Sequence, residues 1–136
     1  MDIFEFVIQY WPRLLAGTAM TVAQFLLAAL LGVAVALLMG LLKLSPNTLL
    51  RGFAVTYIEI FRGTSLLVQL YWIFFVLPLF GFSIDKFTAG YVAVGMNIGA
   101  YGAELVRGGI LSVPKGQWEA ALAINMSPAQ RMRRII

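Results

Sequence analysis

From Leu14 to Leu42 the sequence runs without one charged residue, and no other feature limits the possible folds so strongly. Crossing the hydrocarbon of a bilayer takes roughly 20 apolar residues in a helix, the conformation that pairs every backbone N–H and C=O within the segment. This stretch exceeds that length. A signal peptide would be shorter and led by positive charge, whereas the preceding residues carry Asp2, Glu5 and a single Arg13. The stretch is therefore read as a retained span. Composition agrees, because 61% of residues are hydrophobic and only 12% charged, about half the charge of an ordinary soluble domain.

Two more apolar stretches follow, Thr64 to Ile84, interrupted only by Pro78, and Phe87 to Ala103, the latter counted as a span to about residue 106. Between the first and second, Ser45 and Pro46 read as N-cap and first-turn residues of a helix lying along the membrane face. Lys and Arg set the orientation. Lys43, Arg51, Arg62, Arg107, Lys115, Arg131, Arg133 and Arg134, eight of the ten basic residues, fall on one side, which is then cytoplasmic. The expected fold is an all-α integral membrane protein with three transmembrane helices, about 14–42, 64–84 and 87–106. They run out to in, in to out, and out to in. The N-terminus and the loop holding Asp85 and Lys86 face outward, and everything after about residue 106 is cytoplasmic.

With no cysteine and no histidine, the chain has no disulfide, no thiolate or imidazole metal site and no Ser/His or Cys/His catalysis. No cofactor is expected. The net charge of +4 is spread through apolar sequence without a basic patch interleaved with aromatics, so nucleic acid is not an expected partner. A phosphate-binding loop of the form GxxxxGK[ST] is also absent, so the chain is not itself an ATPase.

In the first span Ala28, Gly32, Ala36 and Gly40 recur every four residues, a small-residue stripe that lets another helix approach closely. On the third, Gly95, Gly99 and Ala103 share one side, while Asn97, Tyr101 and Glu104 fall roughly opposite. Polar side chains at membrane depth are costly unless paired or facing a wet cavity. Gln69 on the second span joins this set. Gln69, Asn97 and Tyr101 are therefore candidates for a substrate pathway, the alternative being a buried hydrogen-bond network between helices. Glu104, at the expected interface, reads as a solvated carboxylate.

The tail from about residue 112 to 136 reads as helix, tight turn, helix. Pro114, Lys115 and Gly116 make a turn, and Gln117 to Ile124 are good helix formers. Asn125 tolerates the left-handed conformation that ends many helices. Ser127, Pro128 and Gln130 spell a capping box with proline at the first helical position. Such an elbow suits either an anionic lipid surface or a cytoplasmic partner.

These residues resemble the permease subunits of binding-protein-dependent ABC importers of the polar amino acid type. That family carries a cytoplasmic motif of EAA, three residues, then Gly; here Glu119, Ala120 and Ala121 are followed by Asn125, Met126 and Ser127. FRGTS at 61–65 resembles the family's FRGTP, and VQL at 68–70 and GAYGAELVRGGI at 99–110 agree further. Within the family, the combination of FRGTS with INMSPAQRMRRII looks most like permeases of ectoine and hydroxyectoine importers.

The resemblance implies an ATP-driven importer of amino acids or related zwitterions in the bacterial inner membrane. The elbow would be a pair of coupling helices in a groove of the ABC ATPase subunit, with Glu119, Ala120, Ala121, Asn125, Met126, Ser127, Gln130 and Arg131 at the contact. A second permease subunit, identical or paralogous, and an extracytoplasmic solute-binding protein would complete the assembly. The chain would be the N-terminal part of a five-helix permease and would catalyse nothing itself. A secondary transporter or channel fits the spans alone, but the coupling motif speaks against it; a small membrane scaffold would fit only if so short a chain were the physiological product.

Overall fold

In the computed structural model, which describes residues 2–136, helix α1 runs unbroken from Ile3 to Lys43. It begins well before the expected Leu14: Asp2 is extended and stands at the N-cap position, Glu5 suits the first turn, and no glycine or proline interrupts Ile3 to Trp11. Pro12 lies inside the helix and withholds one donor without ending it. At about 1.5 Å per residue, 41 residues extend about 62 Å, roughly twice the thickness of a bilayer's hydrocarbon.

The stripe on α1 packs against helix α4, Lys86–Leu111. All four stripe residues are buried, together with Gly95, Gly99 and Ala103 of α4. Matching positions rise together along both helices: Gln24 donates to Phe87 O at 3.2 Å, Gly32 meets Ile98, Val35 meets Gly99, and Gly40 meets Val106. The two helices are therefore parallel. A chain that runs twice in the same direction must return between, and α2, Thr48–Gly63, and α3, Leu66–Tyr71, make that return.

Helix α2 begins later than the sequence suggests. Asn47, not Ser45, is its N-cap, accepting from Leu49 N–H at 2.9 Å, while Ser45 accepts from Asn47 N–H at 3.2 Å and shapes the turn. Its buried face, Ala54, Tyr57 and Ile58, packs on Met39, Ala100 and Ala103, and Tyr57 donates its hydroxyl to Met96 O.

The expected single helix over 64–84 is not formed. Helix α3 continues through a π turn, Trp72–Val76, and a 3-10 turn, Leu77–Phe80, before Gly81 at φ 90° closes it. Pro78 explains this: it has no N–H for Phe74 O, and its ring presses on that carbonyl. The widened turn relieves the pressure, with Leu77 N–H reaching back five residues to Trp72 O. Thr64 and Ser65 are extended, and the chain bends by 105° there.

Among the described residues, α1 alone is long and apolar enough to cross a membrane, and α2 with the segment to Phe80 passes the same test only as a bent pair. Helix α4 has the length, but its glycines, Asn97 and Glu104 dilute its apolarity. Asp85 caps α4, accepting from Thr88 N–H at 3.3 Å, and the Thr88 hydroxyl and then its N–H hold this carboxyl below the usual range.

Candidate functional site

Two groups of candidate residues emerge, one at the bend and one at the elbow. At the bend, α2 ends at Gly63, and Ser65 opens α3 by accepting from Val68 N–H at 3.2 Å. Gln69 sits one turn further, only 8% exposed. Its Nε2 donates to Phe61 O at 2.9 Å and to the Thr64 hydroxyl at 3.0 Å, so it ties the free end of α2 to α3. Its Oε1 accepts from Asn97 Nδ2 at 3.2 Å, which carries the tie across to α4. The structure thus brings Gln69 and Asn97 together in an interhelical network. Asn97 Oδ1 accepts no bond among the described residues and is its free end.

Tyr101 lies one turn along α4 and is 49% exposed. Over its ring stands the Arg62 guanidinium, 5.5 Å from the centroid. Sequence reasoning placed Arg62 with the cytoplasmic charges and missed it here. No periodic signal could have found it, since its place over Tyr101 depends on the packing of α2 against α4.

Glu104 is not the solvated carboxylate expected. Lys43 at the end of α1 donates to it, and Arg107 stands 3.8 Å away. The Lys43 pair locks the parallel ends of α1 and α4 together.

The elbow consists of α5, Lys115–Ala123, and α6, Pro128–Arg134; α5 starts two residues before the expected Gln117. Asn125 takes φ 56°, the left-handed region. Asn125 N–H donates to Leu122 O and Met126 N–H to Ala121 O, both at 3.0 Å, the paired bonds of a Schellman motif with asparagine where glycine is usual. The capping box is complete: Ser127 accepts from Gln130 N–H at 3.2 Å, and Gln130 Oε1 accepts from Ser127 N–H at 3.0 Å. Ala121 is buried under the turn, while Glu119, Leu122 and Ile124 are exposed. Glu119 makes one loose pair, 3.8 Å to Lys115. Ala120, Ser127 and Gln130 are exposed beside it, and Met126 and Arg131 are half-buried.

Asn125→Gly should be tolerated, whereas Asn125→Val should cost about 1–2 kcal/mol, because a β-branched residue resists positive φ. Thermal melting of the two variants at equal expression checks this.

The family described as the binding-protein-dependent transport system inner membrane component matches residues 32–136. The chain belongs to that family. The chain is similar to a probable amino-acid ABC transporter permease of Sinorhizobium fredii, 44% identical over 88% of this chain and 52% of that protein. The L-cystine transport system permease of Bacillus subtilis is 39% identical over 93% of this chain and 54% of its own length. A putative glutamine transport system permease of Rickettsia felis is 38% identical, covering 98% and 63%. Among solved structures, one described as an amino acid ABC transporter with histidines superposes with a TM-score of 0.85 at 40% identity, over 100% of this chain and 63% of that one. The chain spans between about half and two thirds of the length of these relatives.

Proposed function

We propose that this chain belongs to the membrane subunit of an ATP-driven ABC importer for polar amino acids. The observation that carries this reading is the elbow, a rigid turn with the exposed Glu119 and two apolar side chains beside it, in a chain of this family. An ABC ATPase subunit would seat on Glu119, Ala120, Ala121, Asn125, Met126, Ser127, Gln130 and Arg131. A second permease subunit and an extracytoplasmic solute-binding protein complete the assembly, which sits in the bacterial inner membrane. Closure of the ATPase pair favours one arrangement of the spans over another by differential contact, and substrate access alternates.

Three crossings fit the parallel α1 and α4, with α2 and α3 as the bent return and the elbow on the cytoplasmic side. The relatives above carry the names of cystine, glutamine and unspecified amino-acid systems, so amino acids are proposed as substrates ahead of ectoine or hydroxyectoine. The test is uptake by the full-length subunit with its ATPase and binding protein in proteoliposomes. Uptake of labelled arginine, glutamine or cystine should require internal hydrolysable ATP, with unlabelled ectoine as competitor. Uptake driven by an ion gradient without ATP would overturn the reading.

Gln69, Asn97 and Tyr101 form the proposed substrate pathway. Gln69 is consumed by the bend, so the free Oδ1 of Asn97 and the exposed Tyr101 are the parts available to a solute. Asn97→Ala should cost about 1 kcal/mol of substrate binding, several-fold in transport affinity. Unchanged affinity with a lowered melting temperature would assign Asn97 to helix packing alone.

A further inference from the structure

We infer that the first turns of α1, Ile3 to Trp11, lie along the outer membrane interface, with a lipid surface as their partner. The inference rests on the orientation proposed above, with the N-terminus outward. Helix α1 has 41 residues and α4 has 26. Gln24 stands beside Phe87, the second residue of α4, so everything before it on α1 runs past the start of its neighbour. From Ile3 to Gln24 that overhang is about 30 Å, at the helix rise of about 1.5 Å per residue. With α4 as a crossing whose Asp85 and Lys86 face outward, a straight α1 would hold its first turns well clear of the hydrocarbon.

Those turns are not suited to water. Ile3, Phe4, Val7, Ile8 and Trp11 are all exposed, and at about 100° per residue they share one face. Asp2, Glu5 and Gln9 gather on the opposite face, beside Arg13. Phe6 and Tyr10 stand at one border, their ring centroids 4.5 Å apart, with the Arg13 guanidinium 5.5 Å from the Tyr10 centroid. A helix divided in this way belongs in an interface, its apolar side sunk about 5–10 Å into the boundary between headgroups and acyl chains. Tryptophan and tyrosine are the side chains that favour that depth. The polar face sets two acids against one arginine, so apolar area holds the segment, and not attraction to anionic lipid.

A second helix is the other occupant that an apolar face could take, and side-chain size decides between the two. Where α1 does pack on a helix, it offers Ala28, Gly32, Ala36 and Gly40, which let backbones come close together. Ile3 to Trp11 contains no glycine, alanine or serine, and its bulky side chains hold a neighbouring backbone away. The turn onto the surface has a place to occur. Pro12 has no N–H for Ile8 O and so weakens the ladder where the amphipathic segment ends, and a Cβ at Gly17 would have nothing within 4 Å.

The test uses the full-length subunit with its ATPase, in a background freed of any native cysteine, reconstituted in phosphatidylcholine nanodiscs. Spin labels are attached one at a time at Phe4→Cys and Ile8→Cys on the apolar face and at Glu5→Cys and Gln9→Cys on the polar face. Power saturation compares access to oxygen, which concentrates among acyl chains, with access to a water-soluble nickel chelate. The ratio of the two should be several-fold higher at positions 4 and 8 than at positions 5 and 9. Four labels all open to the chelate would leave the segment standing in water and overturn the proposal. Four labels all rich in oxygen would place it inside the hydrocarbon, and labels at 4 and 8 shielded from both reagents would put protein on that face; either result overturns it. In spheroplasts, a membrane-impermeant maleimide should modify Gln9→Cys and leave Lys115→Cys untouched. The reverse pattern would turn the chain over, and the outer leaflet would fall with it, while ATP-driven uptake by the same assemblies tests the importer reading separately.

Discussion

Gly99→Leu should part α1 from α4 and lower the stability of the subunit by about 2 kcal/mol. A Cβ at position 99 would lie 2.5 Å from Val35 Cγ1 and 2.7 Å from Val35 Cβ. Because the collision begins at Cβ, no side-chain rotamer relieves it, and the helices themselves must move. Overpacking of this kind costs up to about 3 kcal/mol, and roughly 1 kcal/mol returns because leucine is a better helix former than glycine. Gly17→Leu is the control, since nothing lies within 4 Å of a Cβ there. It should melt at or above the wild-type temperature. Thermal melting of the full-length subunit in detergent separates the two, and equal melting would show that the close approach of α1 to α4 is not maintained.

Glu119→Lys should abolish stable association with the ATPase subunit and leave the fold untouched. The Glu119 side chain is 66% exposed, and its one ion pair among the described residues, with Lys115, is long and solvated, so its loss costs little stability. At the proposed docking surface the same change acts directly, because a charge that complements the partner would become one that repels it. Co-purification should lose the ATPase while the melting temperature of the membrane subunit stays within a degree or two. An undiminished ATPase yield with coupled hydrolysis intact would remove Glu119 from the docking surface.

What the sequence disclosed followed from local spacing. The four-residue stripe of Ala28, Gly32, Ala36 and Gly40 is a property of one helix, and it packs as read. The left-handed Asn125 and the Ser127 capping box are likewise decided within a few residues. The bend at Thr64 and Ser65 was less legible, because an apolar run looks alike whether it continues straight or turns. Glu104 was misread because its partner Lys43 is distant in sequence, and the pairing exists only once α1 and α4 lie parallel. The place of Arg62 over Tyr101 was illegible for the same reason, since it depends on how α2 packs on α4. The reading of Gln69 and Asn97 left two alternatives, and the structure joins the two side chains in a bonded pair that exists only once α3 lies against α4.

The packing of α1 on α4 also has a mechanical meaning. Glycine interlocks at Gly32, Gly40, Gly95, Gly99 and Gly102, with the Lys43 and Glu104 bond at one end, leave these two helices almost no room to slide or roll. They form a stiff beam. By contrast, α6 meets that beam across a cleft of about 410 Å³ bordered by Leu37, Leu41, Val106, Ile110, Met132 and Ile136, and the bend between α2 and α3 hangs on a few hydrogen bonds from Gln69. Stiffness is therefore unevenly distributed, and strain applied at the elbow collects in two soft joints, the cleft under α6 and the bend beside Arg62, while the beam turns as one piece.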